Sequence, residues 1–249
     1  MVVLPDYRTY QFGKKDWLEL IGVFVAKGLL LSFLFYDSYL GFFFLVLFSY
    51  YEYKEMQKKK LIRQKQRLTA QFKSMMEALV TSLNAGYSLE TSFGDVKRDL
   101  SLIYEKDSFI LKEMDIILKG IKMNIPVERL LTDFGRRSGN EDVRNFANVV
   151  AAAKRNGGNL IHIIQKTVNC ISDKISVEEE IQTMIAAKKL EQRIMMVMPY
   201  GILLYLRFAN RGYLDPLYHN IVGIFLMTVF LMLIYLSNFW AKKIMEICV

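Results

Sequence analysis

Cysteine, histidine, tryptophan and proline are scarce in this chain, with two, two, two and four among 249 residues. Cys170 and Cys248 stand far apart, with no Cys-x-x-Cys or Cys/His spacing around them. Both fall in stretches expected on the cytoplasmic side, which excludes a disulfide framework and a zinc site. His162 and His219 have no Cys, Asp or second His at ligand spacing, so no catalytic or metal-binding histidine is identifiable. Strand-like alternation is missing between Arg67 and Arg193, which makes that region all-α. Phosphate-loop chemistry is missing as well, because Gly157-Gly158 is not followed by Lys-Ser/Thr and no strand precedes it. Asp133-Phe134-Gly135 matches a kinase magnesium triplet, but no glycine-rich loop or His-Arg-Asp segment accompanies it and it falls inside a helix. Phe134 reads as core, and Asp133 as a surface partner for Arg129 or Arg137.

What is abundant is apolar: 53% of the residues, gathered in runs. Runs at 23–35 and 39–51, separated only by Tyr36, Asp37 and Ser38, predict a hairpin of short segments. A second pair, 194–209 and 221–240, is split by a polar loop from Asn210 to Pro216. The last run has 20 residues without a charge and is long enough to span a bilayer. The net charge of +8 could suggest nucleic acid, but its placement argues otherwise. Lys54, Lys58, Lys59, Lys60, Arg63, Lys65 and Arg67 follow the second run, Lys188, Lys189 and Arg193 precede the third, and Lys242 and Lys243 follow the fourth. Basic flanks mark the cytoplasmic side of membrane segments. The chain is therefore expected to be multi-pass, with both termini and the central region cytoplasmic, and no nucleic acid among its partners. The N-terminus lacks the small-residue cut site of a cleavable signal and is expected to be retained. The stretch from Lys54 to Arg67 is either a helix resting on anionic lipid or simple topogenic charge.

Between these pairs the apolar residues recur at helical spacing. Leu68, Phe72, Met75, Leu79 and Leu83 form one stripe. Leu89, Phe93, Val96, Leu100 and Ile103 form the next, and Ile110, Met114, Ile117 and Ile121 the third. Val127, Leu130, Leu131 and Phe134, then Val143, Phe146, Val149 and Val150, then Ile164, Val168, Ile171 and Ile175 complete the series. Three similar corners punctuate it. Gly86 is followed by Ser88 as an N-cap, Asn124 by Pro126 in a first turn, and Gly157 by Asn159 as an N-cap. A further break, Ser138-Gly139-Asn140, puts Asn140 at a helix start. Past Asn159 no Pro or Gly occurs until Pro199, about 40 residues or roughly 60 Å of helix, so one element is expected to tie the helical domain to the third apolar run. The predicted fold is all-α: a cytoplasmic six-helix domain of three hairpins (54–193, with its basic lead) between two transmembrane hairpins (1–53 and 194–249).

Charges inside or beside these elements are the remaining candidates. Lys27 within the first run is a functional candidate by position, although its long stem also suits snorkelling. Arg207 lies near the outer end of the third run and can snorkel outward. Glu178, Glu179 and Glu180 form an acidic run that is either a solvated face or a docking surface. Arg136 and Arg137 are a possible complementary docking pair.

The Ser82-Leu83-Asn84-Ala85-Gly86-Tyr87-Ser88-Leu89-Glu90 block, Asp133-Phe134-Gly135-Arg136-Arg137-Ser138, Gly157-Gly158-Asn159-Leu160 and Pro199 together resemble the type II secretion system F domain family. Within it they are similar to the TadB/TadC platform proteins of Tad (Flp) pilus assembly, over roughly residues 66–240. The resemblance implies a plasma-membrane platform with no enzymatic activity and no cofactor. Its expected partners are an assembly ATPase, a paralogous platform protein or a second copy, pilin subunits and membrane lipid. The rival class is a transporter or membrane-anchored enzyme, which would call for polar residues buried in the spans.

Overall fold

The computed structural model describes residues 5–9, 13–36, 41–156, 160–209, 215–218 and 220–247. Every regular element among them is helical. Helix α1 (Lys14–Leu31) runs on as a π-helical turn, Ser32–Tyr36, and is followed by α2 (Gly41–Asn84), α3 (Leu89–Ile103), α4 (Phe109–Lys122) and α5 (Val127–Ser138). Then come α6 (Glu141–Asn156), α7 (Leu160–Ala209), α8 (Asp215–Tyr218) and α9 (Ile221–Ile247). The corner residues Gly157, Gly158 and Asn159 lie outside the described residues, as do Asp37 and Ser38, most of the loop from Asn210 to Pro216, His219 and Cys248.

The chain divides into two compact units. One comprises Met1–Gln11 and Gln57–Glu178, the other Phe12–Met56 and Glu179–Val249. The first unit thus takes in the N-terminal arm, although α1 and the first apolar pair follow that arm in sequence. Its core is formed by the inward stripes of α2 to α7, with Phe72 at the centre: Phe134 and Phe146 meet its ring edge-on at 6.1 and 5.7 Å. Such pairs add about 0.5–1.5 kcal/mol each beyond their buried area. Ile103 departs from its expected place and is exposed. Helix α3 ends there, and the extended backbone of Tyr104 (φ −114°, ψ 147°) turns that ring inward instead, its hydroxyl 2.9 Å from Ser74 Oγ.

In the first unit, Gly120 and Gly135 let helices approach closely. A Cβ on Gly120 would stand 2.4 Å from Leu130 of α5, and one on Gly135 would stand 3.0 Å from the Arg144 Cα of α6. The kinase-like triplet is therefore structural throughout: Phe134 is core, Gly135 admits α6, and Asp133 is ion-paired on the surface of α5 with Arg136 and Arg137. Among the described residues, the left-handed corner residues are Gly86 (φ 89°), Asn124 (φ 57°) and Gly139 (φ 61°). Ser88 caps α3 by accepting the Thr91 N–H at 3.2 Å. Pro126 is the N-cap of α5 rather than a first-turn residue. Asn140 Oδ1 accepts the Asp142 N–H at 2.8 Å, while its amide donates to Thr69 Oγ1 at 2.7 Å.

In the second unit two described helices are long and apolar enough to cross a membrane, Asp16–Phe35 and Ile221–Ala241. The first begins earlier than the 23–35 run, because α1 is already helical from Lys14. Leu31, Leu34, Phe35, Leu203, Met227 and Leu231 form its core, with Phe35 against Tyr200 and Phe230. Lys27 is on an exposed face of α1. Helix α7 runs without a break across Pro199, and its residues belong to the first unit up to Glu178 and to the second from Glu179.

Candidate functional site

A dense polar cluster in the first unit is built on α4 and α5 and closed by the N-terminal arm. Glu113 follows Ile110 by three residues and precedes Met114 and Ile117, so helical geometry turns it toward the core, where it is fully buried. A carboxylate there needs a cation, and Arg137 supplies one. The guanidinium donates from Nη1 and Nη2 to the two oxygens of Glu113, each at 2.7 Å, in a forked pair. Its Nε donates to Asp133 Oδ2 at 2.8 Å. Desolvation alone would lower the Arg137 pKa, but hydrogen bonds and charge from Glu113, then Asp133, raise it overall.

Residues 5–8 lie over this pair as a strap. The Tyr7 hydroxyl donates to Glu113 Oε1 at 3.0 Å and its backbone N–H donates to the Arg137 carbonyl at 3.1 Å. Arg137 Nη1 donates to the Pro5 carbonyl at 3.2 Å, and Gln64 of α2 donates to the Tyr7 carbonyl at 3.4 Å. The Tyr7 ring meets Phe109 edge-on at 5.4 Å and is buried. Burial, then the neighbouring Glu113 carboxylate, pushes the phenol well above its ordinary pKa, so it remains a donor. Arg137, expected as a docking residue, is instead an internal clasp with a side chain only 10% exposed. Arg136 is the outward member of the pair, 2.9 Å from Asp133.

A second network joins two corners. Lys154 of α6 donates to Glu90 at 3.0 Å and to Glu128 at 3.1 Å, the first-turn carboxylates of α3 and α5. The Lys154 hydrogen bond holds the Glu90 carboxyl below its ordinary range. Glu128 is also lowered, first by its own backbone N–H and then by Lys154. Glu178, Glu179 and Glu180 are all exposed on α7, and Glu178 lies 3.7 Å from Lys174, which also holds Asp142 at 2.8 Å.

In the second unit Arg207 does not simply reach outward. Its guanidinium donates to the Phe33 carbonyl and lies over the Phe33 ring at 3.8 Å, while the Tyr218 hydroxyl donates to the Leu34 carbonyl at 2.6 Å. The π-helical turn carries both carbonyls, and these two side chains satisfy them. A shallow groove on α7, lined by Ile194, Val197, Met198, Gly201 and Tyr205, is apolar and offers no convergent polar groups.

Periodicity gave no warning of the strap, because Tyr7 and Glu113 are 106 residues apart. The signal for the clasp was local: Glu113 and Arg137 each interrupt an apolar stripe with a charge. Comparison with protein-family models, with curated proteins and with solved structures finds no match.

Proposed function

We propose that this chain is a non-catalytic platform of the plasma (inner) membrane, of the type II secretion system F domain and TadB/TadC kind. In this reading it couples a cytoplasmic assembly ATPase to polymerisation of pilin subunits in a Tad or type IV-like machine. The observation that carries it is the strap. Tyr7, ahead of α1, is buried in the same unit as the later part of α2. That supports both ends of the first apolar pair lying on one side of the bilayer, as a hairpin anchor would place them, and the basic flanks of the apolar runs favour the cytoplasmic side. The continuous α7 supports mechanical coupling, since movement of one part of a helix is passed along its hydrogen-bonded axis. Glu178, Glu179, Glu180 and Arg136 are exposed groups through which the ATPase, a paralogue or a second copy would dock.

Gentle-detergent purification of the full chain tests this reading. Recovery of an assembly ATPase and a second platform protein is the expected result. Turnover of a small substrate or nucleotide by the purified chain, with no partner present, would overturn it in favour of a membrane enzyme.

A further inference from the structure

The corner joining α4 to α5 carries groups that the fold does not use. Lys122 and the C-cap residue Met123 lie three and four residues after Lys119, so both neighbour it at the C-terminal end of α4. Met123 is 72% exposed, and Tyr87 at the α2–α3 corner is 49% exposed. The two corners are neighbours, because one Lys154 ammonium holds both Glu90 and Glu128. Those carboxylates are thereby occupied, while Lys119, Lys122 and Arg129 are exposed and make no ion pair among the described residues. The dipole of α4 accounts for the lysines, since cations favour a helix C-terminus. It does not account for Arg129, the third residue of α5, where the dipole disfavours a cation. Nor does the core account for an exposed methionine, a side chain suited to adaptable contact surfaces.

We infer that this corner docks an acidic protein surface, with Met123 and Tyr87 as apolar anchors inside a rim of Lys119, Lys122 and Arg129. A protein suits it better than anionic lipid. The corner belongs to the first unit, whereas both described helices apolar enough to cross a membrane belong to the second. The surface is separate from the acidic run on α7, and the inference holds whichever machine the chain serves.

The test places a benzophenone amino acid at Met123 of the full chain in its own cells, and in a control at Leu102, which is 84% exposed at the other end of α3. The expected result is a Met123 adduct whose mapped partner segment is rich in Asp and Glu, with no such adduct from Leu102. Arg129→Glu restores a charge that the helix dipole favours, so the fold is retained; with Lys122→Glu added, the yield should fall more than about tenfold. Converting one acidic residue of the mapped segment to Lys should restore it. An adduct with lipid alone, with a second copy or with a non-acidic segment overturns the inference. So does a yield indifferent to charge reversal at equal membrane levels.

Discussion

Arg137 holds the fully buried Glu113 carboxylate by two hydrogen bonds of 2.7 Å. It continues the inward stripe of Leu131 and Phe134. A charge at an inward stripe position is the signal that a buried pair exists; the identity of the partner is settled only by packing. Arg137→Ala should cost about 3–5 kcal/mol, because it leaves a buried carboxylate uncompensated. Tyr7→Phe, which removes one donor to that carboxylate and keeps the ring, should cost less, about 1.5–3 kcal/mol. Thermal unfolding of the full chain in detergent measures both, and equal losses would mean that the cluster does not act as drawn. The pH dependence follows from Asp133, Glu90 and Glu128. Asp133 is raised by desolvation but lowered more by the hydrogen bonds of Arg137 and Arg136. Carboxyls depressed in the folded state give stability above their unfolded values, near 4, and lose it as pH falls through the folded ones. The midpoint should hold between about pH 7 and 5 and drop below about 4.5. Lys154→Met should flatten the drop by releasing Glu90 and Glu128.

At the scale of elements, the six apolar stripes were legible because a 3.6-residue period survives whatever the tertiary arrangement. Ile103 failed because a stripe does not say where its helix stops, and Tyr104 took the inward position. The corners at Gly86 and Asn124 were legible through the chemistry of positive φ, which both adopt. Two glycines of the same region separate that effect from helix propensity. Gly86→Ala should destabilise by about 1 kcal/mol, because φ is 89°. Gly94→Ala, in the exposed interior of α3 with nothing within 4 Å of the added carbon, should stabilise by about 0.5–1 kcal/mol. Shifts of the same sign in the two melting midpoints would contradict the corner geometry. Reversing the exposed Glu178, Glu179 and Glu180 to Lys should change stability by no more than about 0.5 kcal/mol per site while weakening any docking to a basic surface. Wild-type assembly by that variant would remove the acidic run from the docking account and leave the platform reading in place.

For the whole molecule, the apolar runs and their basic flanks expressed the two-part character of the chain. The discontinuity of the units did not show, because it depends on an arm of a few residues returning to α4 and α5. That arm also carries the central claim, since it requires residues ahead of α1 and the corner at Met123 to share one side of the bilayer. The most direct measurement is cysteine labelling in intact cells, in a background with Cys170 and Cys248 replaced by Ser. Asp6→Cys and Met123→Cys, both at exposed positions, are each treated with a membrane-impermeant maleimide before and after permeabilisation. Both should be protected at first and both labelled afterwards, while a cysteine at Tyr213, in the loop after the third apolar run, should be labelled from outside. Labelling of Asp6→Cys and Met123→Cys from opposite sides would contradict the account.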